Sequence, residues 1–233
     1  MPRGDRMDSV KLRVRQVDMG YHANVEPPAF DLGARWVELQ SAIYSHLGPF
    51  KLTLSDIKVE SSSANPADLS VVCWVLGYAA LVRFQLDKVE IWSNKAQLAA
   101  NSTLATDLAE QALEVLRVAS PEASIASHSF TVALHGEPQG RAPDDFITSF
   151  VKVVPQGTPE LKPSGASFVG ELPTKNGAGS IVLERSGQVS EGVFLKISSE
   201  HAGSLTAREA LNQGIEFFEG SLKRLGFDLE WGQ

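Results

Sequence analysis

The stretch that decides the fold is Val193 to Gly226, VFLKISSEHAGSLTAREALNQGIEFFEGSLKRLG. It opens as a strand over Val193–Ser198 and then changes period. Thr206 and Glu209 have capping-box spacing, so a helix is predicted to start there. Leu211, Ile215, Phe218, Leu222 and Leu225 then form one apolar stripe at helical spacing, and Gly226 ends it. A strand leading into a long amphipathic helix is the grammar of an α+β protein.

Working back from that helix, strands are predicted near 166–172 and 180–185, after a loop region rich in proline and glycine over 155–165. Asp144–Val153 reads as a short helix, and Ser127–His135 as a strand with Phe130, Val132 and Leu134 on one face. The first half has a matching order. Val10–Val17 alternates as a strand, and Leu32, Trp36, Leu39, Ile43 and Leu47 mark a helix over 31–47 that Gly48-Pro49 stops. Strands are predicted near 51–60, 69–76 and 79–92, and a helix over 102–118. In the 79–92 strand, Val82, Phe84 and Leu86 share one parity while Val89 and Ile91 share the other. That switch places a bulge or tight turn at Asp87-Lys88.

The expected fold is therefore a duplicated strand–helix–three strands–helix unit, residues 1–120 and 125–233. The halves form two domains or one continuous domain. Edge-to-edge pairing of the halves would give one mostly antiparallel sheet with the long helices on one face.

Composition narrows the chemistry. Of 233 residues, 43% are hydrophobic and 21% charged, which argues for a packed core and against disorder. The net charge of −7 disfavours nucleic acid as a partner. The single cysteine, Cys73, excludes an internal disulfide, and its setting in Val71-Val72-Cys73-Trp74-Val75 reads as core. The apolar run 69–86 is interrupted by Gly77-Tyr78, Arg83 and Gln85, so no membrane span is expected. Lys175-Asn176-Gly177-Ala178-Gly179-Ser180 has the wrong order for a phosphate loop and reads as a hairpin turn. Asn101-Ser102-Thr103 and Arg3-Gly4-Asp5 match short motifs without extracellular support.

No catalytic residue is assigned. His135, Glu137 and His201 are the weak metal candidates, since each falls near the end of a predicted strand. The expectation is no metal and no cofactor, with loop-proximal polar residues as the plain reading. Lys11, Arg13 and Arg15 make a basic stripe on one strand face. Phe227, Leu229 and Trp231 alternate beyond the last helix, like a strand that pairs with a sheet edge of its own chain or a partner's. Those six residues are the candidate partner-binding set. Trp74, Trp92, Phe50, Phe217 and Trp231 fall on strands, helix flanks and the tail rather than in one stripe.

The helix after Pro27-Pro28, and the 211–225 helix after the Gly192-Val193-Phe194-Leu195-Lys196-Ile197 strand, resemble uncharacterised, sporadically distributed bacterial proteins of similar length. Strands followed by a long helix also resemble the architecture of the export chaperone SecB. The resemblance implies an α+β fold and brings no site residues with it. The functional expectation is a non-catalytic cytoplasmic interaction subunit that docks a protein partner through a sheet edge or helix face. The alternatives are a SecB-like holdase for unfolded clients and a metal-dependent hydrolase. Homo-oligomerisation stays open.

Overall fold

A computed structural model describes residues 10–60, 69–95, 101–150, 165–171 and 177–231. The loop over 155–164, Arg3-Gly4-Asp5 and Asn176 lie outside them. Among the described residues ten strands form one sheet: β1 Val10–Glu26, β2 Ile57–Glu60, β3 Ser70–Val75, β4 Ala80–Gln85, β5 Lys88–Ser93, β6 Ser124–Pro138, β7 Gly165–Glu171, β8 Gly177–Arg185, β9 Val193–Ala202 and β10 Phe227–Trp231. The helices are α1 Trp36–Leu47, α2 Ser102–Ala119, α3 Pro143–Phe150 and α4 Ala207–Leu225. The fold is α+β and the sheet mostly antiparallel.

The strand order is β2-β3-β4-β5-β1-β6-β9-β8-β7, with β10 beside β1. The antiparallel β1–β6 pair lies in the middle of the sheet. Outward from it run β5, β4 and β3 on one side and β9, β8 and β7 on the other.

Alternation along the strands separates two faces. Leu12, Val14, Met19 and Tyr21 of β1, with Phe130, Val132 and Leu134 of β6 and Leu195 and Ile197 of β9, are buried under helices. Helix α4 crosses β6 and β9, α2 packs against α4, and α1 packs against α2. The approach of α4 is close at Gly214, where an added Cβ would lie 2.8 Å from Phe130 Cδ1. Helix α4 carries the capping box, and Gly226 closes it at φ 71°, a left-handed cap. Arg208 ties the helix layer together: Nε and Nη2 donate to Glu110 at 2.9 and 2.6 Å, and Nη2 also to Asp107 at 2.7 Å.

Several boundaries differ from expectation. The predicted 79–92 strand is a hairpin, β4 and β5 joined by Leu86-Asp87. A two-residue turn and a bulge produce the same parity switch, and here the turn is the reason for it. The segment 51–60 is strand only from Ile57, because Thr53 and Asp56 form a capped 3-10 turn first. Helix α1 starts at Trp36, after a separate 3-10 turn over Phe30–Leu32. Asn101 of the sequon serves as the side-chain cap of α2, accepting from the Leu104 amide at 3.1 Å.

Candidate functional site

The face of the sheet opposite the helices carries the other parity of every strand. Register places Trp74 (β3), Leu81 (β4), Trp92 (β5), Gly20 (β1) and Thr131 (β6) in one row across five strands. The two indoles flank Leu81, and a cleft of about 460 Å³ opens there, lined also by Tyr78, Asp18 and Lys95.

Local chemistry fixes each wall. Leu76, Gly77 and Tyr78 have φ of 56°, 65° and 67°, so the β3–β4 turn runs left-handed through two residues that carry side chains. Such residues cost roughly 1–2 kcal/mol each. The Tyr78 hydroxyl donates to Asp56 Oδ1 at 2.7 Å and the ring lies 6.0 Å from Trp74, contacts that secure the turn. Hydrogen bonds from Thr53 first, then from Tyr78, hold the Asp56 carboxyl below the usual range. Trp92 lies across Gly20: a Cβ there would meet three ring carbons at 3.0–3.2 Å. His22 meets the same indole edge-on at 5.0 Å.

Beneath that edge sits a buried carboxylate. Glu90 Oε1 lies 3.2 Å from His22 Nδ1 and 2.8 Å from Lys88 Nζ, while Arg83 approaches Oε2 at 3.5 Å. Burial alone would raise its pKa, but hydrogen bonding, from His22 above all and then Lys88, holds it at about 2. The network fixes His22 and, through it, Trp92. Tyr78 is 63% and Trp92 39% exposed despite this support. Rigid aromatics left in solvent suit recognition better than core packing.

The proposed partner-binding residues lie elsewhere and meet partners within the chain. Phe227, Leu229 and Trp231 form β10, which pairs in parallel with Val10–Val14 of β1. Phe227 packs 5.0 Å from Phe146, and Leu229 and Trp231 rest on the core. Lys11 pairs with Glu230 at 3.3 Å, and Arg15 donates to both oxygens of Glu137 at 3.0 and 2.8 Å. Arg13 lies in register between Glu137 and Glu230.

The metal candidates are not brought together. His135 lies on the open face, its Nδ1 2.8 Å from Ser186 Oγ, while His201 lies on the helix face beside His128. Seven register positions separate the two histidines, roughly 23 Å along the strands. Among the described residues no cluster of three histidine, cysteine or acidic side chains is placed to hold a metal. His128 is instead structural. Its Nε2 donates to the Leu205 carbonyl at 2.9 Å, so Nδ1 accepts from the Tyr21 hydroxyl at 2.7 Å. Burial lowers the pKa of both His128 and His201. Cys73 is buried, and its thiol is pushed up to about 12 by desolvation.

Trp74 and Trp92 were visible in the sequence, but their common row was not, because it depends on two turn lengths. Gly20, Asp18 and Tyr78 carry no local signal that links them to either indole.

No protein-family model matches the chain, and no curated protein matches it. Among solved structures, a rolling circle replication initiator protein from Geobacillus stearothermophilus is 11% identical, over 89% of this chain and 83% of that one, with a TM-score of 0.35. Methanococcus jannaschii TBP is 14% identical over 91% and 99%, at 0.28. The di-domain ARO/CYC BexL from the BE-7585A biosynthetic pathway is 11% identical over 90% and 95%, at 0.25. Likenesses at this level assign no family and no function. Among the described residues no helix is long and apolar enough to cross a membrane.

Proposed function

We propose that this chain is a non-catalytic, cytoplasmic interaction subunit that docks a protein partner on the open face of its sheet, centred on the cleft between Trp74 and Trp92. The observation that carries the reading is the exposure of Tyr78 and Trp92 at a cleft whose walls are held by the Tyr78–Asp56 hydrogen bond and by the seating of Trp92 on Gly20. Clustered aromatic side chains with fixed rotamers are the usual anchors of protein interfaces. The reading moves the docking surface away from the β10 arm, since that arm completes the chain's own sheet.

The test is photo-crosslinking in the native host, with benzoylphenylalanine replacing Tyr78 and, as control, Glu216 on the exposed side of α4. One discrete adduct from the Tyr78 position and none from Glu216 is the expected result. Adducts from Glu216 alone would move docking to the helix face. A broad set of unrelated adducts at Tyr78 would indicate a holdase.

A further inference from the structure

We infer that the cleft between Trp74 and Trp92 seats the guanidinium of an arginine side chain on the partner protein. The inference rests on the docking reading above and names its anchor. Trp74 and Trp92 stand two strands apart in one row, so their backbones are about 10 Å apart with Leu81 as the floor between them. The Trp92 ring leaves that space open, because it is pressed the other way onto Gly20. What fits is a flat group laid against an indole.

Charge selects which flat group. Indole faces attract cations more strongly than other aromatic faces do. Asp18 brings a carboxylate to the cleft, and among the described residues its Oδ2 takes a long 3.4 Å hydrogen bond from Gln16. A carboxylate has capacity for a two-pronged contact as well. Asp56, bonded to the Tyr78 hydroxyl, puts a second negative charge behind the aromatic wall. Guanidinium is the side-chain cation that is planar, weakly hydrated and forked to match a carboxylate, whereas an ammonium is compact and strongly hydrated. The chain's charge of −7 draws in a basic partner. Lys95 lines the same cleft, and its positive charge opposes a second cation there.

The test titrates the full chain with acetyl-Gly-Arg-Gly-amide, and with its citrulline and lysine counterparts, by tryptophan fluorescence. Citrulline keeps the shape and removes the charge. Saturable binding of the arginine peptide is expected, about tenfold weaker for citrulline and intermediate for lysine. Asp18→Asn should weaken arginine binding about tenfold, and Lys95→Gln should tighten it a few-fold. The urea midpoint of each variant verifies folding, and Lys95→Gln tests the cleft at an exposed position. Equal binding of citrulline and arginine, an unchanged affinity in Asp18→Asn, or no saturation by about 10 mM would overturn the inference. A crosslinked partner with no arginine binding sinks this inference and leaves the docking reading standing. Arginine binding with no crosslinked partner overturns the docking reading, and with it the partner as source of the arginine, while the cleft's affinity for guanidinium stands.

Discussion

Replacing Gly20 separates the stability of the sheet from the geometry of the cleft. An alanine Cβ at that position would lie 3.0, 3.1 and 3.2 Å from Cζ3, Cη2 and Cε3 of Trp92, where ordinary contact begins at 3.4 Å. The ring must therefore move by a few tenths of an ångström. It is 39% exposed and can yield. Removing glycine from a strand interior recovers about 0.5–1 kcal/mol. The loss of the edge contact with His22 takes back a similar amount, about 0.5–1.5 kcal/mol. Gly20→Ala should thus stay within about 1 kcal/mol of the parent in urea denaturation. Gly20→Val, whose extra methyls reach further into the ring, should lose about 1–3 kcal/mol. In both variants the near-ultraviolet circular dichroism of tryptophan should change, because the added side chain displaces the Trp92 ring from its seat on Gly20. Arginine-peptide binding should weaken in step with that spectral change. Wild-type spectra and stability in Gly20→Val would refute the placement of Trp92 on Gly20.

Three further outcomes follow from the helix layer and the buried groups. Gly214→Ala puts a Cβ 2.8 Å from Phe130 and should cost about 1–3 kcal/mol of overpacking, partly offset by about 1 kcal/mol of helix propensity, as read by the urea midpoint. His128 and His201 have folded pKa values below the usual histidine value, so the unfolded chain binds more protons as pH falls through about 6.5. Stability is then full well above that pH and should decline as pH falls below about 6.5, well above the range where Glu90 titrates. His128→Asn with His201→Asn should reduce the decline, leaving the share of His135, whose pKa burial also lowers. Cys73, with a thiol near 12 and no exposure, should react with a disulfide reagent at pH 8 only at the rate of unfolding; rapid labelling of the native chain would contradict its burial.

Local rules carried much of the architecture. The capping box at Thr206 and Glu209, the stripe from Leu211 to Leu225 and the stop at Gly226 each depend on residues three or four positions apart, and helix α4 has those limits. The parity switch after Leu86 was equally legible, but its cause was not, since a bulge and a two-residue turn reverse parity alike. Pairing of β10 with β1 joins residues more than 200 positions apart, and no local pattern specifies it. The separation of the metal candidates is a different case. Counting by twos from Phe130 puts His135 outward, and from Val193 puts His201 inward, so the sequence already set them on opposite faces. The aromatic cleft was hidden for the reason β10 was: Trp74 and Trp92 meet in one row only after both hairpins have fixed their register.

The most direct test of the open-face account is hydroxyl-radical footprinting of the chain alone and in its native complex. The account predicts ready oxidation of Tyr78 and Trp92 in the free chain and protection of Trp74, Tyr78 and Trp92 together in the complex. Protection confined to the outer surface of α4, with Tyr78 and Trp92 oxidised as before, would contradict it.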